Sequence, residues 1–311
     1  MSEQQHSQSQ SLLDSIAQLS ERVAQLTQAV SAIRLNSVVP DASVLDQAMA
    51  FRFEKTEGLL QSSAFIPLHH PQLISFDELS NIDRQLDKIR QNTRQFVQGY
   101  FANNVLLTGA RGTGKSSLVK ACLHEFHQHG LKIIEVEKKF LNDLPRIVAA
   151  LSARSEKFIV FCDDLSFEEG DTSYSGLKTV LDGSIAGPSN NLLIYATSNR
   201  RHLVTEHNKD NLEFNKSSDG ELHPGDTVEE KISLADRFGM HLTFYGFNQQ
   251  EYLKTVQHWL SRFGWSDEDI QAQEKLAIQW ATQKGSRSGR IAMQFAKQVA
   301  GQRLAGQERG G

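Results

Sequence analysis

The stretch "TGARGTGKSS", Thr108 to Ser117, limits the fold of this chain more than any other. It follows the apolar run "NNVLL" and sets Gly109, Gly112 and Gly114 ahead of Lys115, Ser116 and Ser117. A strand must enter a loop whose backbone bends freely, and a helix must leave it. The spacing fits G-x-x-x-x-G-K-[ST]. In such a loop successive backbone N–H groups point inward at a phosphate chain, and the helix that begins at Gly114 adds the positive end of its dipole. Lys115 then reaches the β and γ phosphates, and Ser116 offers a hydroxyl to Mg²⁺. The candidate binding loop is Gly109, Ala110, Arg111, Gly112, Thr113, Gly114, Lys115, Ser116 and Ser117.

Around the loop the signals alternate. A helix is predicted over 76–100, a strand over 103–109, a helix over 114–127 and a strand over 131–137. A helix over 142–153, a strand over 157–164, a helix over 173–181 and a strand over 190–198 follow. Strands alternating with helices give βαβ units, hence an α/β fold: a three-layer αβα parallel sheet covered on both faces. The sheet is expected to end at Tyr245 to Phe247. Three amphipathic helices then form a small C-terminal lid with Trp259, Phe263 and Trp280 in its core.

A phosphate loop of this kind needs an acid for the metal and the water. The run "FIVFCDD" delivers Asp163 and Asp164 at the carboxyl end of a strand, the edge at which open α/β sheets bind ligands. Asp163 is expected to hold Mg²⁺ with Ser116, and Asp164 to orient or deprotonate the attacking water, with Glu168 the next candidate base. The following strand ends in "ATSN". Asn199 would stand between the two loops, although a lone asparagine there is ordinarily a turn residue.

Residues 1–62 carry a different pattern. Leu12, Ile16, Leu19, Val23, Leu26, Val30 and Ile33 repeat at alternating intervals of four and three, a heptad seam. β-branched residues at the a positions with leucine at d favour a parallel two-stranded coiled coil over 12–33, against the alternative of one amphipathic helix lying on its own protein. A second helix is predicted over 42–60, and "SSAFIPLHHPQL" with its two prolines is predicted to be a loop. The expected organisation is therefore an N-terminal helical extension (1–62), an α/β domain (63–246) and a helical lid with a basic tail (247–311).

Composition closes off other classes. A net charge of −4 over 311 residues does not suit bulk binding of a polyanion. The C-terminal end is locally basic, with Lys284, Arg287, Arg290, Lys297, Arg303 and Arg309 against Glu308, which is ordinarily a solvated helix face. Cys122 and Cys162 lie far apart in apolar surroundings, as reduced core residues of a cytoplasmic protein do. The polar "MSEQQHSQSQ" lacks the pattern of a secretion signal, and no apolar run approaches the length of a membrane helix.

In this order the motifs resemble those of AAA+ ATPases, over about 66–305. "GARGTGKS" resembles Walker A and "FIVFCDD" Walker B. "LKTVLDG" followed by "IYATSNRRHL" resembles the approach to sensor 1, and "FDELSNIDRQ" the linker beside adenine. "SLADRFG" resembles the arginine-finger region and nominates Arg237. "GSRSGRIAMQFA" resembles sensor 2 and nominates Arg290, with Arg287 as the alternative. The resemblance implies ATP and Mg²⁺ as ligands, a homo-oligomer, and an ATPase that remodels or loads a protein or nucleic-acid partner. Asp164 departs from the usual glutamate, as in the replication-initiator branch, and its shorter side chain implies slow hydrolysis. The alternatives are a nucleotide-gated switch or scaffold, and DNA binding through the basic end. Phe140 lacks the pattern of an aromatic pore loop and is expected to pack a helix. The polar insert over 205–231 is long enough to be functional or disordered.

Overall fold

The computed structural model describes residues 16, 18–25, 41–56, 62–166, 174–183, 190–199, 215–216, 222–223 and 234–308. Leu12, Leu26, Val30 and Ile33 of the heptad seam, Glu168, Arg309 and most of the polar insert lie outside them. Residues 18–25 are helical, and Ile16, Leu19 and Val23 are exposed there.

The chain enters its sheet through β1 (Ala50–Thr56) and β2 (Ser62–Pro67). Helix α1 (Asp83–Val97) leads to β3 (Val105–Gly109), and α2 (Lys115–Phe126) to β4 (Leu131–Glu135). Helix α3 (Leu144–Ser152) precedes β5 (Lys157–Cys162), and α4 (Ser175–Leu181) precedes β6 (Leu192–Ser198). The two-residue strands β7 (Asn215–Lys216) and β8 (Leu222–His223) pair with each other, and β9 (Met240–Phe244) completes the main sheet. The seven strands run in the order β2-β1-β4-β5-β6-β3-β9, and every pairing is parallel except β1 with β2.

The period of two in the strands explains both covered faces. Leu106, Phe158, Val160 and Cys162 join the core beneath α3 and α4. Val105, Leu107, Ile159 and Phe161 join the core beneath α1 and α2. Strands apolar on both sides are what a parallel sheet between two helix layers demands. Cys122 and Cys162 fall in opposite cores, and burial pushes both thiols up to about 12, which keeps them protonated and inert.

Two expectations fail at the N-terminal edge. The predicted helix over 42–60 is a short 3₁₀ turn, Ala42–Asp46, followed by β1. The reason is alternation: Phe51 and Phe53 go into one core, while Arg52 bonds Glu135 on the neighbouring strand. The predicted loop over 62–73 begins as β2, because Phe65 pairs with Phe53 across the ladder. Pro67 is tolerated since it ends an edge strand. The sheet therefore starts at Ala50, inside the stretch read as an N-terminal extension. The helix predicted from residue 76 also starts later. Ser75 and Glu78 form a capping box on the turn Phe76–Glu78, and Asn81 adopts φ 63° before α1 begins.

Phe140 is buried and meets Phe53 edge-on at 5.5 Å, so it packs the core as expected. The lid consists of α5 (Gln249–Arg262), α6 (Asp267–Gln283) and α7 (Gly289–Glu308). Tyr252, Trp259, Leu260, Ile270 and Phe295 fill its core, with Trp280 partly buried against them. Phe263 does not join them: it follows the end of α5 and remains exposed, with its ring 6.3 Å from that of Trp259.

Candidate functional site: a phosphate loop facing two aspartates

β3 and β6 lie side by side, with Thr108 opposite Ser198, and β5 lies next to β6. Parallel pairing brings all three carboxyl ends to one edge, so the loop after β3, the acids after β5 and Asn199 after β6 converge. Gly109, Gly112 and Gly114 all adopt positive φ, at 127°, 75° and 103°. A Cβ on Gly109 would stand 1.9 Å from the carbonyl oxygen of Phe244, and one on Gly112 would stand 2.8 Å from Ser288 Oγ. Only glycine fits either place. Thr113 Oγ1 closes the loop by donating to the Ala110 carbonyl at 2.8 Å.

Lys115 is buried at the mouth of α2. Its Nζ donates to the Gly109 and Ala110 carbonyls at 2.8 Å each and to Asn199 Oδ1 at 3.0 Å. Burial lowers its pKa to about 8, and the nearby Asp163 and Asp164 only partly oppose that. Ser116 Oγ donates to Asp163 Oδ1 at 2.7 Å. Asn199 Nδ2 donates to Asp164 Oδ1. Asp164 itself sits at φ 55°, an uncommon conformation for a residue with a side chain, with its carboxylate facing the loop. Arg111 Nη2 lies 3.9 Å from Asp164 Oδ2.

Thr197 organises the acids, and sequence reasoning did not single it out. Its buried hydroxyl donates to Asp163 Oδ1 at 2.5 Å and accepts the Asp164 N–H at 2.9 Å. The signal was a hydroxyl residue two places before Asn199 in "ATSN", and only the β5–β6 register makes it meaningful.

These groups line a cavity of about 670 Å³, within the range of small-molecule sites. Gly112 to Ser117, Asp163, Asp164 and Asn199 are among its lining residues. Leu73, Leu79 and Ile82 from the segment before α1, and Trp259 and Met293 from the lid, add apolar lining. Trp259 thus lines the cavity as well as filling the lid core. Arg290 also lines it, and its backbone N–H donates to the Gly112 carbonyl at 3.2 Å. Arg287 is not among the lining residues. Its carbonyl accepts the Phe247 N–H at 3.3 Å, which ties the end of the sheet to the lid. Arg237 is not a lining residue either, and its Nε pairs with Asp182 of the same chain. Gly109 and Ala110 act from beneath through their carbonyls.

The donor set fits Mg²⁺ and a polyphosphate. Mg²⁺ is usually held by one or two carboxylates together with phosphate oxygens and water, and Ser116 with Asp163 forms such a hard oxygen pair. Glycines without Cβ atoms leave the backbone open to phosphate, and Lys115 and Arg290 bring positive charge.

A family model described as "Protein of unknown function (DUF815)" matches residues 46–303. Proteasome-activating nucleotidase 2 of Haloferax volcanii is 30% identical over 106 residues, which are 30% of this chain and 26% of that protein. Among solved structures, a RuvB variant of Thermotoga maritima aligns with a TM-score of 0.49 and 17% identity over 72% of this chain and 64% of the other. The FIGL-1 AAA domain in complex with ADP aligns with a TM-score of 0.46 and 15% identity over 74% of each chain. The chain thus spans under two thirds of that RuvB chain and about a quarter of the nucleotidase. Its own strand order, phosphate loop, paired acids and helical lid carry the fold assignment. This chain belongs to the DUF815 family and has the AAA+ P-loop fold.

Proposed function

We propose that the chain binds Mg²⁺·ATP in this cavity and hydrolyses it to remodel or load a protein or nucleic-acid partner. The observation that carries the reading is the linkage of Lys115, Asn199 and Asp164 on one side of the loop and of Ser116, Asp163 and Thr197 on the other. It holds the lysine, the hydroxyl, the two carboxylates and the carboxamide that phosphoryl transfer would use within hydrogen-bond reach of one another. Lys115 contacts the β and γ phosphates. Ser116 and Asp163 would hold Mg²⁺, whose charge would offset that of the phosphates. Asp164 and Asn199 place a water for attack. As the water oxygen bonds the γ phosphorus, the bond to the β–γ bridging oxygen breaks, ADP leaves with that electron pair, and Asp164 takes the water's proton. Arg290 reports the nucleotide to the lid, because its own backbone is bonded to Gly112. Apolar lining residues such as Leu79 and Met293 would meet the adenine.

Assembly belongs to the same proposal: a cytoplasmic homo-oligomer in which Arg237 serves a neighbour's nucleotide and the 12–33 seam pairs as a coiled coil. A slow switch or scaffold is the second reading. One observation favours it: both carboxylate oxygens of Asp164 already face a partner, Asn199 at Oδ1 and Arg111 at 3.9 Å from Oδ2, which crowds the place an attacking water would take. Turnover counting separates the two. Phosphate release well beyond one equivalent per chain is expected for the wild type, with Asp164→Asn keeping ATP bound but releasing none. A single equivalent, with ADP retained, supports the switch. Release by Asp164→Asn at the wild-type rate moves the base elsewhere, to Glu168 first.

A further inference from the structure

The side chain of Arg111 has no catalytic role among those assigned so far, yet it stands inside the catalytic edge. Its guanidinium lines the cavity beside Asp163, Asp164 and Asn199, and Nη2 is 3.9 Å from Asp164 Oδ2. Its side chain is 77% exposed and that of Asp164 is 53% exposed. An exposed pair of this length adds little to folding, so packing does not account for the arginine. We propose, building on the ATPase reading, that Arg111 is a catalytic cation supplied in cis, which moves from Asp164 onto the γ phosphate when ATP binds.

Geometry selects the γ end. The attacking water must lie between Asp164 and the γ phosphorus, so a guanidinium about one ion-pair length from Asp164 would be near the γ oxygens. Charge points the same way. Arg111, Lys115 and Arg290 all line one cavity. Cations set close together repel one another until a polyanion enters. The exchange also has an internal logic. While Arg111 pairs with Asp164, its guanidinium occupies one side of the carboxylate. When the guanidinium turns to phosphate oxygens, which suit its planar fork, Asp164 is released for the water and keeps Asn199 as its remaining partner. Hydrolysis would then have its own arginine in each subunit, and Arg237 of a neighbour would add to it.

The test uses the full-length chain and its Arg111→Ala, Arg111→Gln and Arg111→Lys variants, with thermal melts to confirm folding. Arginine fingers supplied in cis or trans are worth about 10³–10⁵ in rate. The expected result for Arg111→Ala is a loss of roughly 10²–10³-fold in kcat at every protein concentration. Calorimetry supplies a readout independent of turnover. Affinity for Mg²⁺·ADP should change less than about threefold, while capture of Mg²⁺·ADP with aluminium fluoride, a planar mimic of the transferring phosphoryl group, should fall in step with kcat. Arg111→Lys should recover part of both, and Arg111→Gln neither. Wild-type kcat and fluoride capture in Arg111→Ala would overturn the proposal. Equal losses for ADP and for the fluoride complex would overturn it too, by making Arg111 a ground-state phosphate contact. A wild type that neither hydrolyses ATP nor captures the fluoride complex sinks the ATPase reading along with this one. An active wild type with an unaffected Arg111→Ala sinks this one alone.

Discussion

Lys115 concentrates the chemistry of the site into one measurable charge. Free in water its ammonium would titrate near 10.5, and burial here lowers it to about 8. The folded pKa lies below the unfolded one, so between about 8 and 10.5 the unfolded chain binds more protons. This group's contribution to stability therefore rises with pH through that window and is flat below it. A polyphosphate restores the charge, so ATP binding should take up a proton. Calorimetry in two buffers of different ionisation enthalpy should show uptake growing from pH 7 to pH 9. Heats independent of buffer across that range would mean that Lys115 does not meet the phosphates. Lys115→Met carries a second expectation. It should raise the melting temperature of the nucleotide-free protein at pH 7, since a buried charge is gone, and abolish the rise in melting temperature that ATP gives the wild type. A variant still protected by ATP would displace the binding site from this loop.

Among elements, β3, β5 and β6 were legible because their apolar runs end in chemistry: a glycine loop, two aspartates and an asparagine. β1 was not. "AFRFEKT" alternates over a short span and follows a stretch that suits a helix, and the strand becomes clear only once Phe51 and Phe53 have a core to enter. Thr197 was missed for a related reason, since its role depends on β5 lying beside β6. Asn199 and Arg290 were nominated from motif order, and the register and the lid bring both to the cavity. The β1 result is testable by truncation. Removing residues 1–40 should leave the urea midpoint of the sheet domain nearly unchanged. Removing residues 1–61 should not, because Phe51 and Phe53 are lost from the core and Phe65 and Phe140 lose their partner. Loss of even one buried phenylalanine typically costs about 3–5 kcal/mol. An equally stable shorter chain would make β1 an accessory to the sheet.

At the scale of the whole molecule the open matter is whether the chain works alone. Arg237 was nominated as a residue for a neighbour's nucleotide, and in the single chain it pairs with Asp182, which follows α4. The pair is half-exposed, with side-chain exposures of 24% and 43%, so it is held by about 0–1 kcal/mol in the usual case. A neighbour's γ phosphate, multiply charged and approached through water-excluded surfaces, is a stronger partner. Assembly would then draw Arg237 away from Asp182, and the seam of Ile16, Leu19 and Val23 would add affinity by holding subunits together. Three outcomes are expected from this arrangement. Specific activity should rise with protein concentration in the wild type. Arg237→Ala should bind ATP as the wild type does but lose the concentration-dependent part of its turnover, keeping whatever Arg111 supplies in cis. Asp182→Asn should reach half-maximal activity at a lower concentration, because Arg237 has one fewer competitor to leave. Mixing Arg237→Ala with Lys115→Ala separates assembly from a local effect, since each variant carries the half-site that the other lacks. Recovery of activity in the mixture requires an arginine acting across subunits. Turnover that is independent of concentration, with no recovery on mixing, would leave the Arg237–Asp182 pair as a bond within one chain and the ATPase as a monomer.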